Sequence, residues 1–170
     1  PAAYNCTFTN NTASDGAGIF NLQQIGGIVD DCVFTGNTAH NNGGGGIYNE
    51  ESSKFTILSS TFSKNIASTG SGGGIYNRLS SPLIENCIFN HNTAENYGGG
   101  IYSTNSSWTE SSYGITYCTF ASNTASSSGG AMYNDYSNGL KIEFCWFNEN
   151  TAMSNGAGIY NTHCTDLQIL

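Results

Sequence analysis

Apolar positions in this chain come in short alternating bursts, and the same burst returns at a nearly constant interval. Cys6-Thr7-Phe8 recurs as Cys32-Val33-Phe34, Ser60-Thr61-Phe62, Cys87-Ile88-Phe89, Cys118-Thr119-Phe120 and Cys145-Trp146-Phe147. Residues i and i+2 repeat while the middle residue varies, the signature of a strand with one buried face. Three residues before each of these positions stands another apolar residue: Ala3, Val29, Ile57, Ile84, Ile115 and Ile142. Three residues after each Phe comes Asn11, Asn37, Asn65, Asn92, Asn123 or Asn150, and two further on an Ala. A glycine-rich stretch and an Ile-aromatic-Asn step complete the unit, as in Gly72-Gly73-Gly74-Ile75-Tyr76-Asn77. Ser103 takes the Asn place in the fourth copy and Met132 the Ile place in the fifth. Successive Phe residues are 26, 28, 27, 31 and 27 positions apart, so the period is about 27 residues.

Such a unit predicts strands separated by corners. Helical solenoids need an i, i+3, i+4 apolar pattern, which is absent, and glycine and Asn supply the positive-φ conformations that corners require. A leucine-rich repeat would place leucines at fixed offsets, whereas the seven leucines here are scattered. The chain is therefore expected to be all-β, a right-handed parallel β-helix of about six rungs. It forms a single domain over 1–170, or a segment of a longer one. Stacked at about 4.8 Å, six coils make a rod roughly 29 Å long. Phe8, Phe34, Phe62, Phe89, Phe120 and Phe147 should form one ladder along it, and the six Asn residues another. The 31-residue interval points to an inserted surface loop at 103–113. Leu167 and Ile169 match Leu140 and Ile142, so the last residues read as the start of a seventh coil.

Charge narrows the function. Only 9% of residues are charged, and twelve carboxylates against four Lys and Arg give a net charge of -8. Without a basic patch, nucleic acid is not an expected partner. No apolar run is long enough for a membrane helix, so no membrane span is expected in this segment.

Candidate chemistry is sparse. Asp30, Asp31, Glu85 and Glu143 fall near one corner, but two rungs separate Asp30 from Glu85 and Glu85 from Glu143. Arg78 and Lys54 lie on other rungs. No catalytic residue is assigned, and a polysaccharide lyase or glycosidase is the least favoured reading. His40, His91 and His163 occupy unrelated positions, and no metal site or cofactor is expected. Cys6, Cys32, Cys87, Cys118 and Cys145 share one inward column, where free thiols are favoured over disulfides. Cys164 lies outside it and is the candidate for an intermolecular bond. Phe20, Tyr48, Tyr76, Tyr102, Tyr133 and Tyr160 adjoin the Ile column, and strand alternation must send one of the two columns outward. If outward, the tyrosines are candidates for partner binding; otherwise they stabilise the ladder. Asn5, Asn10 and Asn105 head glycosylation sequons, with Asn105 the most accessible, and Trp108 in the insertion is the best single partner-contacting residue.

The paired Phe-x-x-Asn and Gly-Gly-x-Ile motifs, alternating over essentially the whole chain, resemble the repeats of the chlamydial polymorphic outer membrane proteins and related β-helical surface proteins. The resemblance implies a secreted, passenger-like stalk or adhesin, extracellular or on a cell surface. The membrane β-barrel that ends autotransporters of that family is not expected within these residues. The chain is thus expected to be a non-catalytic structural module, stacked on copies of itself or on the rest of a longer β-helix. A surface adhesin for glycans or another cell surface is the alternative.

Overall fold

Each short burst forms a strand of two to six residues, and no strand pairs with its neighbour in sequence. Each pairs with the equivalent strand one repeat away, always in parallel. A computed structural model describes residues 1–51, 53–108 and 114–170, with the side chains of 53 and 54 left aside. The chain winds through four parallel sheets, here called A to D. Sheet A holds seven strands, from Ala2–Tyr4 to Gln168–Ile169, and each other sheet holds six. Sheet B runs from Thr7–Thr9 to Trp146–Asn148, sheet C from Thr12–Ala13 to Thr151–Ala152, and sheet D from Ile19–Leu22 to Ile159–Thr162.

Register is kept without slip. Phe62 faces Phe34 and Phe89, Ala67 faces Ala39 and Ala94, and Ile75 faces Ile47 and Ile101. The Phe rings stack with centroids 4.6 to 5.0 Å apart and planes within 5° of parallel. That separation is the strand repeat, and it falls within the range aromatic pairs favour. In the central coils Phe, Ile and Ala of these columns are wholly buried, and each large side chain contributes about 1.5 to 3 kcal/mol.

Three of the four corners share one device. A residue with φ near +50° reverses the strand, and the next side chain turns inward to meet backbone that the corner leaves unpaired. Asn5, Asp31 and Asn86 serve at the A–B corner, and Asn10, Lys64 and His91 at the B–C corner. Tyr117 and Phe144 also adopt this conformation, which bulky residues seldom do. The fourth corner, between C and D, is glycine. Gly72 has φ +65°, and a Cβ on Gly73 would lie 2.5 Å from the carbonyl oxygen of Thr93, so the sheets close up only because side chains are absent here.

The inward corner residues form polar ladders. Asn37 Nδ2 donates to Asn65 Oδ1 at 2.9 Å and to the Phe8 carbonyl at 2.8 Å, while Asn37 Oδ1 accepts from Asn11 at 2.9 Å. The pattern continues through Asn92, Asn123 and Asn150, so that these buried amides are satisfied by their neighbours. A second Asn ladder runs inside sheet D. Asn21 donates to Asn49 and Asn49 to Asn77, but Asn77 then meets the shorter Ser103 at 3.3 Å, and the buried Asn134 Oδ1 has no partner.

All six cysteines are free thiols. Cys118 Sγ accepts from the Cys87 amide at 3.5 Å and lies 3.2 Å from the Thr116 carbonyl, and Ser60 Oγ plays the same part beneath Cys32. Cys164 does lie outside the thiol column, but it is not isolated. It ends a second column at the D–A corner, below Ser80, Ser106 and Ser137, with its Sγ 3.2 Å from the Thr162 carbonyl. It is half-buried, and its Sγ also lies 3.5 Å from the Asn134 carbonyl.

The insertion is shorter than expected. Ser103 and Thr104 belong to the strand Ile101–Thr104, and Ser107 bridges Asn138, 31 residues on. Ile115 pairs with Ile142, 27 residues on, so the difference of four falls between Trp108 and Gly114. Residues 109–113 of the expected loop lie outside the described residues.

Two measurements test these ladders. Ser103→Asn should restore the broken one and raise unfolding free energy by about 1 kcal/mol; an unchanged or lowered value in chemical denaturation would show that the serine is already satisfied. Burial and the neighbouring thiol push Cys32 up; the Cys145 thiol pulls Cys118 down, but the Cys87 thiol and burial together outweigh it and push Cys118 up. Cys32 and Cys118 should therefore resist a maleimide at pH 8 until the chain is unfolded, as read by intact mass, and Cys87, 1% exposed, should resist it through burial alone.

Candidate functional site

Alternation along the sheet D strands turns Ile inward and the aromatic residue outward, which decides the open question of the two columns. Ile47, Ile75 and Ile101 are fully buried, and the tyrosines form a ladder on the outer surface. Outward does not mean bare: Tyr48 is only 3% exposed, and Tyr76, Tyr102, Tyr133 and Tyr160 are partly covered. The ladder changes character along the axis. Phe20, Tyr48 and Tyr76 stack with centroids 5.1 and 4.6 Å apart and planes 17° and 8° apart. From Tyr76 to Tyr102 the rings tilt by 49°, then by 34° to Tyr133 and 32° to Tyr160. Beside the tilted rings stands Tyr97, reaching in from the C–D corner. It lies 6.1 Å from Tyr102 and 4.5 Å from Tyr133, the latter at 42°.

Two residues along each strand runs a mixed row: Leu22, Glu50, Arg78, Thr104, Asp135 and Thr162. Arg78 forms an ion pair with Glu50 at the surface. The His163 ring stacks on Tyr136 and holds Asp135 Oδ1 at 3.2 Å from its Nδ1. Partial burial and the Glu50 and Asp15 carboxylates push the Tyr48 phenol up to about 12; burial and Asp135 do the same for Tyr133. Tyr76 and Tyr102 rise to about 12 for the same leading reason.

Sequence reasoning placed other residues less well. Trp108 is not a partner-contacting loop residue. It is 5% exposed, packs within the apolar core, and donates its Nε1 hydrogen to the Pro82 carbonyl at 3.1 Å. Its amide bonds to the carbonyl of Asn138, which fixes it in the regular coil where an apolar side chain turns inward. Asn105 is exposed, but at the ordinary D–A corner with φ +51°, not in a loop; its Nδ2 donates to Thr104 Oγ1 at 3.1 Å. Asn5 and Asn10 are exposed at equivalent corners.

The outer face of sheet A separates its acidic residues. Leu58 stands between Asp30 and Glu85, and Thr116 between Glu85 and Glu143. Among the described residues, no group of three or more His, Cys, Asp or Glu is arranged to hold a metal ion. His40, His91 and His163 lie exposed on separate corners. Lys54's side chain falls outside the described residues. Among the exposed aromatics that pattern reading missed are Tyr117 and Phe144, stacked at 5.0 Å on the A–B corner, and Trp146, 63% exposed on sheet B. Their signal was available: Tyr117 and Phe144 follow Asn5, Asp31, Ser59 and Asn86 at one corner position, and Trp146 follows Thr7, Val33, Thr61, Ile88 and Thr119 at one strand position.

The raised phenols carry a pH dependence. Tyrosines that titrate near 10 unfolded and about 12 folded give stability that is complete below pH 10 and is lost as pH rises through 12. The thermal midpoint should fall between those values. Tyr48→Phe and Tyr76→Phe should flatten the fall, since Phe20 shows that the ladder accepts a ring without a hydroxyl.

Neither the search of curated proteins nor that of solved structures returned a match. The family model for the right-handed beta helix region matches residues 2–169, nearly the whole chain and the same residues that wind through sheets A to D. On that match and this topology, the chain belongs to the right-handed β-helix family.

Proposed function

We propose that the chain is an extracellular structural repeat module, a length of stalk or filament whose work is to hold distance and shape rather than to turn over a substrate. One observation carries this reading. The polar and aromatic side chains that could serve chemistry are spent on their own equivalents in the next coil: amide on amide, thiol or hydroxyl on backbone, ring on ring. What remains outside is dispersed, with carboxylates kept apart by Leu58 and Thr116. Repeats of this kind are quasi-one-dimensional and grow in length without redesign, which suits a spacer. Further coils of a longer β-helix or copies of the chain stacked end to end are the partners this role calls for.

A surface adhesin is the second reading, favoured by the exposed Tyr117, Phe144 and Trp146 and by the resemblance to polymorphic outer membrane protein repeats. A glycan would use Trp146 before the tyrosine ladder, because rings stacked along the axis present edges outward and sugars pack on ring faces.

Electron microscopy of the native material should show straight rods, lengthening by roughly 29 Å for every six coils. Short discrete particles together with retention on a glycan array, lost in Trp146→Ala, would shift the assignment to adhesion. Measurable turnover of an acidic polysaccharide by the purified chain would overturn the structural reading altogether.

A further inference from the structure

Tyr97 breaks the rule of its own position. The residue before the corner glycine is Asp15, Gly43, Ser71, Ser128 or Asn155 in the other coils, small or polar in every case. Here a phenol stands in its place beside the tilted part of the ladder, and three tyrosines come together. Among the tilted pairs of this face, Tyr97 and Tyr133 approach most closely: 4.5 Å between centroids, against 4.8, 5.5 and 5.0 Å for the others. At 42° between planes, this pair also departs from the parallel stacking of the Phe column. Tyr48 and Tyr76 are as near, at 4.6 Å, but Tyr48 is only 3% exposed and closed to an oxidant, whereas Tyr97 is 36% exposed.

From this geometry we infer that Tyr97 and Tyr133 are a cross-linking site, joined through their ortho carbons into dityrosine when a haem peroxidase supplied with hydrogen peroxide oxidises them. Each phenol gives up one electron and one proton. The two phenoxyl radicals form a carbon–carbon bond, and the two ortho hydrogens migrate to the oxygens to restore both phenols. The two electrons and two protons reduce one peroxide to two molecules of water. Nothing in this step depends on the stalk reading, since it is a property of two rings held together.

Selectivity follows from the surroundings. Among the described residues Tyr4, Tyr117 and Tyr136 are the more exposed phenols, at 58%, 54% and 51%, and would be oxidised readily. Tyr117, however, stacks on Phe144 and Tyr136 on His163, so neither has a phenol as its stacking partner. Tyr97 is 36% exposed and open to an oxidant, yet has its partner in place. The bond would also fall where it is most useful. It ties the fourth coil to the fifth, the junction at which Ser103 leaves Asn134 Oδ1 unpaired and at which the extra residues between Trp108 and Gly114 enter.

The test treats the dilute folded chain with a haem peroxidase and limiting hydrogen peroxide. Expected are a monomer lighter by two hydrogens, dityrosine fluorescence, and a proteolytic fragment joining Tyr97 to Tyr133, with a raised thermal midpoint. Tyr97→Phe keeps the ring and the fold, checked by circular dichroism, and should lose that fragment entirely. The same cross-link yield in Tyr97→Phe, cross-links mapping mainly to other pairs or between chains, or no intramolecular dityrosine in the folded chain would each overturn the assignment.

Discussion

Parallel pairing in strict register is the constraint on which everything else depends. A coil closed by backbone hydrogen bonds to the coils above and below puts each residue directly over its equivalent at the strand repeat. Any column must then be filled by a side chain that tolerates its own likeness about 4.8 Å away. Phe does so by stacking, Ile and Ala by close packing, and Asn by passing one hydrogen from each amide to the next. Charged side chains repeated at that spacing would repel, which explains why the interior is neutral and why acidic residues outside alternate with Leu58 and Thr116.

The same constraint explains the corners. Each reversal leaves backbone groups unpaired at the edge of the interior, and an inward Asn, Cys or Ser one residue after the positive-φ position meets them. Cysteine and serine are therefore equivalent here. Ser60 within the thiol column and Cys164 below three serines are the same solution with oxygen and sulfur exchanged. Chemistry that would make a thiol noteworthy elsewhere is suppressed, because the Cys87 thiol and burial hold the Cys118 proton in place against the opposing pull of Cys145.

Most of the fold was legible because each column announces itself six times. The Phe, Asn and Ile columns and their stacking in coils followed from spacing alone, and the free thiols from the poor orientation of stacked parallel side chains. Single departures were harder to read. Trp108 looks like a loop residue beside Ser106 and Ser107, and only the register of Ser107 with Asn138 shows that the coil is still regular there. The serine column escaped notice because serine is common and its spacing is seen only when counted from Asn77, Ser103 and Asn134. Tyr97 was hidden for the opposite reason: a unique residue forms no column, and its effect on Tyr133 is a matter of geometry between coils. The outer face, where function would be written, is the part that the repeat constrains least.

The register on either side of Trp108 and Gly114 has a consequence for how such a chain can change. Four additional residues enter between strands that stay locked to their partners, and no ladder shifts. A corner is thus an open clause in an otherwise fixed sentence: peptide can be written in while every later coil keeps its wording. A lineage, or an engineer, can graft recognition segments there coil by coil and array them along the rod at the spacing of the strands, leaving the interior to keep them in order.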